Sequence, residues 1–246
     1  MIEFFYICLF MGAFLGGFVN GLAGFGTALF ALGWFLQIME PPAAVAVVLG
    51  ATVVVGIQGL IETWSAINWP RLLRYIVPAG FGIPLGLMAL AHVSGQQLSI
   101  LVGCLLVVYG GYFTFRRNLP TIHGELKSVD VGLGFIGGAL GSMAGLSGAL
   151  PSMWGAMRPW SKHEQRAVLQ SYNVIVIGVS IIGLAYNGAY NAAVLGNLAM
   201  ALPISILGGF IGIRLFRRLS NQGYRRLVIS LMLVSGLGLL GRALLF

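Results

Sequence analysis

Two short stretches hold the residues best suited to chemistry. In Gly16 to Phe30, GGFVNGLAGFGTALF, an apolar run is interrupted by Asn20, Gly21, Gly24 and Gly26, with Phe25 between the two later glycines, and resumes behind Thr27. In Gly137 to Leu150, GGALGSMAGLSGAL, it is interrupted by Gly145, Leu146, Ser147 and Gly148. The second stretch repeats the first 121 positions on, so that Gly16, Gly17, Ala23 and Gly24 fall on Gly137, Gly138, Ala144 and Gly145, and Asn20, Gly26 and Thr27 fall on Gly141, Ser147 and Gly148. The chemistry such breaks offer is anion binding. A helix that restarts behind Gly-x-Gly-Thr or Gly-x-Ser-Gly begins with unpaired N–H groups and about half a positive charge, and glycine lets a ligand approach the backbone. Thr27, Ser147, Asn20 and Asn173 can add hydroxyl or amide donors. The competing use of glycine is close helix crossing. Gly16, Gly82, Gly86, Gly208 and Gly212, on helical spacing, read as packing, whereas the clustered and repeated Gly24, Gly26, Gly145 and Gly148 read as a site.

Few other polar residues lie in apolar surroundings. Gln170, Ser171, Tyr172 and Asn173 form a polar run that serves either interhelical hydrogen bonds or substrate, with Thr52 and Gln58 in the corresponding span of the first half. Arg166 opens that later span, where it anchors the helix at the interface or draws anions toward the second break; anchoring is the expectation. Glu62 beside Trp64 reads as an interfacial carboxylate, and no buried carboxylate is expected. Cys8 and Cys104 stand alone in apolar helices and read as packing residues. Catalysis finds no support in the absence of a His cluster, paired carboxylates or an activated nucleophile. No metal or cofactor is expected.

The elements that carry the two breaks are membrane helices. With 58% hydrophobic and 8% charged residues over 246 positions, the chain is far from the quarter charged that soluble domains carry. Several apolar runs reach the roughly 20 residues of a spanning helix, and none alternates as barrel strands do. Met1 to Phe10 lacks a basic segment, so the first helix is expected to be retained. Glu3 to Val19 and Thr27 to Met39 flank the first break, and spans follow at Ala43 to Thr63, Leu72 to Ala91 and Gln97 to Phe115. A polar linker, Arg116 to Asp130, leads to the second half: legs Val131 to Gly141 and Ser147 to Met157, a turn Arg158 to Arg166, and spans Ala167 to Ala185, Ala192 to Leu215 and Tyr224 to Leu245.

The net charge of +8 needs no nucleic acid, because cytoplasmic loops of membrane proteins are rich in Lys and Arg. That bias also selects a topology. If each broken pair crosses once, the cations divide between the two sides. If each pair enters and returns as a hairpin, thirteen of the fourteen share one side and only Arg242 is opposite. The expected fold is therefore an all-α polytopic membrane protein of two inverted repeats, 1–115 and 131–246, joined by a cytoplasmic linker 116–130. Each repeat has one re-entrant hairpin and three transmembrane helices, about eight elements in all, with both termini outside the cytoplasm. Gly-interrupted segments at matching places of such repeats point to a transporter's midplane site.

The motifs GLAGFG and GLSGALP, the run Pro41-Pro42-Ala43-Ala44-Val45-Ala46 that opens the next span, and two four-element repeats in about 250 residues resemble the TauE/SafE sulfite exporters, also called the toluene sulfonate uptake permease family. The resemblance covers the whole chain. It implies a secondary transporter in a bacterial inner membrane for a small sulfur-containing or organic anion such as sulfite or a sulfonate, with H+ or Na+ as candidate coupling ions. A passive anion pore of the same fold is the alternative. Phe25 stands where many members have another glycine, and the proline after the second break, Pro151, has no counterpart in the first, which points toward a bulkier organic sulfonate.

Overall fold

The computed structural model of the chain describes residues 2–90, 92, 94–114, 122–124 and 126–245. These form ten α-helices and a 3-10 turn, with no strand among the described residues. They are α1 (Ile2–Ala23), α2 (Thr27–Phe35), α3 (Pro41–Thr63), the turn Trp64–Ala66, α4 (Trp69–Leu90), α5 (Gly95–Thr114), α6 (Lys127–Ala144), α7 (Ala149–Ala156), α8 (Lys162–Tyr186), α9 (Ala192–Arg218) and α10 (Asn221–Leu245). Among the described residues six helices are long and apolar enough to cross a bilayer. The chain is a multi-pass helical membrane protein.

Local signals explain the helix starts. Glu40 precedes Pro41 and Pro42 in the first two positions of α3, where missing N–H groups cost nothing. At α8 the Ser161 hydroxyl accepts from the Glu164 N–H while the Glu164 carboxylate takes the Ser161 N–H, a reciprocal cap. That cap starts α8 five residues before the expected Ala167 and draws Arg166 into the helix. The hairpin legs also differ from expectation. α1 continues through Asn20 and Gly21 to Ala23, and α2 ends at Phe35 and not at Met39. Gly21 costs α1 little, because it stands directly against the backbone of Gly209 in α9, so its place in the sequence answers to packing. Of the polar interval 116–130, residues 116–121 and 125 lie outside the described residues, and Lys127 to Asp130 already belong to α6.

Glycines set the helix pairs. Gly17 and Gly21 of α1 meet Ser205 and Gly209 of α9, and Gly208 and Gly212 receive the carbonyls of Phe14 and Phe18, so the two helices run parallel at backbone contact. α4 and α6 pair in the same way, through Gly82 on Phe135, Gly134 on Tyr75 and Gly138 on Ala79. α3 and α8 run antiparallel, Gly56 meeting Val174 and Gly59 meeting Gln170. α5 and α10 are antiparallel too, with Gly103 at Leu240 and Gly110 at Leu233. Exchanging α1–α5 for α6–α10 interchanges the α1–α9 and α4–α6 pairs and returns α3–α8 and α5–α10 each to itself. The apolar core gathers around α3, whose residues Ala44 to Leu49 are at most 2% exposed.

Candidate functional site

Each break closes its first helix with a left-handed glycine, Gly24 at φ 86° and Gly145 at φ 72°. Their N–H groups return to the carbonyls of Asn20 and Gly141, each at 2.7 Å. A second left-handed glycine, Gly26 at φ 98°, starts α2, and Gly148 starts α7; neither helix has a side-chain cap. Gly148 has an ordinary helical φ of −81°, so its backbone does not require glycine. Its neighbour does: a Cβ on Gly148 would stand 2.9 Å from Phe25 Cγ, and one on Gly145 would stand 3.1 Å from the Ala28 methyl. The two hairpin tips therefore meet, the aromatic ring of one lying on the helix start of the other.

Polar side chains fasten the tips to the central pair α3 and α8. Asn20 Nδ2 donates to Thr27 Oγ1 at 2.8 Å and to the Thr52 carbonyl at 3.3 Å, and Gln170 Nε2 donates to Asn20 Oδ1 at 3.3 Å. Ser147 Oγ donates to Asn173 Oδ1 at 2.5 Å. Asn173 lies 121 positions after Thr52, so matching points of α3 and α8 receive the two tips. Arg166, Gln170 and Asn173 follow the i, i+4, i+7 spacing of a single helix face. That face of α8 meets the first tip at Gly24, whose Cβ would lie 3.1 Å from Arg166 Cγ and from Gln170 Oε1, and the second at Ser147. Asn20, Phe25, Thr27, Leu146, Ser147, Arg166, Gln170 and Asn173 are all at most 5% exposed. Gln170 Oε1, Ser171 Oγ and Asn173 Nδ2 are buried without a hydrogen-bond partner. Tyr172, by contrast, is spent on an interhelical bond to the Gly134 carbonyl at 2.7 Å.

The model of the sulfite exporter TauE/SafE family matches residues 9–239. The chain belongs to the TauE/SafE family. It is also similar to the probable sulfite/organosulfonate exporter TauE of Cupriavidus necator, 24% identical over 234 residues that cover 92% of this chain and 90% of that protein. No solved structure gives a significant match.

Three sequence expectations about this TauE/SafE chain are corrected. Arg166 is not an interfacial anchor: it is fully buried, one of its Nη groups donates to the Gly21 carbonyl, and its guanidinium carbon stands 4.2 Å from the Phe216 ring centre. Asn20 and Gly21 are not in the break but in the last turns of α1. Asp130 is not a solvated linker residue but a buried carboxylate, 5% exposed, accepting from Tyr75 Oη at 2.7 Å and Trp154 Nε1 at 2.8 Å, with Arg74 at 3.9 Å. A signal for Asp130 was available, since it lies one helical turn before Gly134, the glycine that seats α6 on Tyr75. Glu62 stands where expected, at the end of α3, bound twice by Arg217 at 2.9 and 2.6 Å.

Proposed function

We propose that this chain is a secondary transporter for a small sulfur-containing or organic anion, a sulfite, a sulfonate or a related species, bound where the two hairpin tips meet. The observation that carries the reading is the seating of Phe25 on Gly148 and of Ala28 at Gly145 in a chain of the TauE/SafE family. This contact places the starts of α2 and α7, each without a side-chain cap, beside one another in a buried setting that also holds Asn20, Gly24, Gly26, Thr27, Leu146, Ser147, Arg166, Gln170 and Asn173. Helix starts stabilise anions through fixed dipoles and open N–H groups. The exporter similarity of the Cupriavidus necator protein supports the same substrate class.

The two halves, 1–115 and 131–246, are read as inverted repeats about an axis in the membrane plane, each a re-entrant hairpin with three spanning helices, joined through the cytoplasmic segment 116–130. Support comes from the antiparallel course of the matched pairs α3 with α8 and α5 with α10. Both termini then lie outside the cytoplasm, in a bacterial inner membrane. Because the tips are buried, passage of an anion requires one half to rock against the other, exposing the tips first to one side and then to the other.

Counterflow in proteoliposomes tests the function. Unlabelled sulfite or sulfonate on the far side is expected to accelerate entry of labelled substrate. Flux without that acceleration indicates a pore, and no flux with any sulfur oxyanion removes the proposal. The topology is tested by a cysteine at position 124, expected to resist an impermeant thiol reagent in intact cells.

A further inference from the structure

Arg166 carries a charge that no direct ion pair meets among the described residues, Glu62 acting on it only from a distance. It is fully buried in the second turn of α8, and among the described residues it makes no ion pair. Its Nε and one Nη group have no hydrogen-bond partner. Glu62, a carboxylate at the adjoining end of α3, is already held by both contacts to Arg217. The one hydrogen bond Arg166 does make, to the Gly21 carbonyl at the end of α1, does not call for a cation. Two residues on, the Ala23 carbonyl of the same helix end is satisfied by the neutral hydroxyl of Tyr224 at 2.8 Å. A cation in a membrane bundle without a directly paired counter-charge is costly, and the Phe216 ring face recovers only part of that cost. The aliphatic stem of Arg166 adjoins the left-handed backbone of Gly24, where a Cβ would stand 3.1 Å from Arg166 Cγ, and seven residues along the same α8 face Asn173 Nδ2 is also without an acceptor.

We infer that Arg166 is the specificity-determining residue of the transport site, supplying the positive charge that separates oxyanions from neutral molecules of the same shape. The inference rests on the transport function proposed above. An oxyanion completes the guanidinium as a carboxylate does in an ordinary buried pair, with charge and acceptor oxygens together. Fixed helix dipoles alone also favour anions, but each amounts to about half a charge spread over several N–H groups, against the full charge of the guanidinium.

The test compares methanesulfonate with methanesulfonamide, a neutral analogue of similar size, by equilibrium binding and thermal shift on purified full-length protein. Wild type is expected to bind the sulfonate and to prefer it strongly. Arg166→Gln is expected to lose the preference, its sulfonate affinity falling about a hundredfold. Arg166→Lys, which keeps the charge, should retain the preference with affinity lower by about tenfold. Tyr224→Phe removes the other cap on α1 and should lower the melting temperature while leaving the preference intact. If Arg166→Gln keeps the wild-type preference, or Tyr224→Phe loses as much of it, Arg166 is only a helix cap and the inference fails. Should Arg166→Gln not fold, loss of the preference in Arg166→Lys is the overturning result and its retention the supporting one. Wild type that binds neither methanesulfonate nor sulfite removes the transport reading itself, which is a different failure from wild-type binding that Arg166→Gln leaves unchanged.

Discussion

The first and second hairpin tips share a backbone plan repeated at 121 residues but are fastened by different means. At the second tip two backbone bonds are local, Gly145 and Leu146 returning their N–H groups to Gly141 and Leu140 within α6, and Ser147 reaches α8, at Asn173. Asp130 then ties the base of α6 to Tyr75 of α4 and to Trp154 of α7. The matching positions of the first hairpin are Leu9 and Gly33, which can make no such tie. Its tip makes the matching local bond from the Gly24 N–H to the Asn20 carbonyl, and two further carbonyls are held from a distance, Gly21 by Arg166 and Ala23 by Tyr224, 145 and 201 residues away. A hairpin closed by its own backbone moves as a unit with its base. The added hold on the first hairpin from side chains of α8 and α10 changes whenever those helices shift, so the expectation from this difference in fastening is a stiffer second hairpin and a more releasable first one.

The comparison is broken most severely at the contact between the tips. Gly148→Val drives a branched side chain into Phe25 and is expected to abolish transport, with Phe25→Ala in the same chain restoring part of the lost melting temperature. Flux and thermal melts on the single and double variants check this; additive losses would show that the two tips are energetically independent.

Removing the base tie of the stiff hairpin comes next. Asp130→Ala leaves Tyr75 and Trp154 without their acceptor and Arg74 without its neighbouring charge, an expected loss of about 3–5 kcal/mol read from reversible unfolding in detergent. A loss near zero would mean that the second hairpin owes its stiffness to its tip alone.

At the second tip itself, Ser147→Ala is expected to weaken sulfonate binding about ten- to a hundredfold, the range for one charge-assisted hydrogen bond. Ser147 already donates to Asn173, so an unchanged affinity would assign its hydroxyl to pinning the tip and not to the substrate. The smallest expected effect is at the releasable tip. Tyr224→Phe should cost about 1 kcal/mol and speed amide exchange over residues 20–27 more than over 141–148. Equal acceleration at both tips would remove the distinction between them.

Much of this architecture was legible without coordinates. The repeat of glycines at 121 residues locates both breaks, and left-handed backbone at Gly24, Gly26 and Gly145 is what clustered glycines in an apolar helix imply. Packing glycines were legible by their helical spacing, and Gly82, Gly86, Gly208 and Gly212 each receive a backbone carbonyl of a neighbouring helix. Arg166 departs from expectation because a cation near a span's end usually reaches water, although the Ser161-Lys162-His163-Glu164 spacing in the polar turn before it is the signature of a reciprocal cap that starts the helix early. Asp130 was misread for a similar reason: its partners lie 55 and 24 residues away, and polar neighbours in sequence made it look solvated.

The sequence by itself determined the membrane-spanning helical class, the two breaks and the family, because hydropathy, glycine spacing and short motifs are properties of contiguous residues. Only the tertiary structure decided that Phe25 seats on Gly148, that one face of α8 serves both tips, and that Arg166 and Asp130 are buried, one without a direct ion pair among the described residues and one with three partners. Burial and pairing of a charge depend on which distant helices surround it, and that is set by how glycine contacts bring α1 to α9, α4 to α6 and α3 to α8, not by any local pattern along the chain.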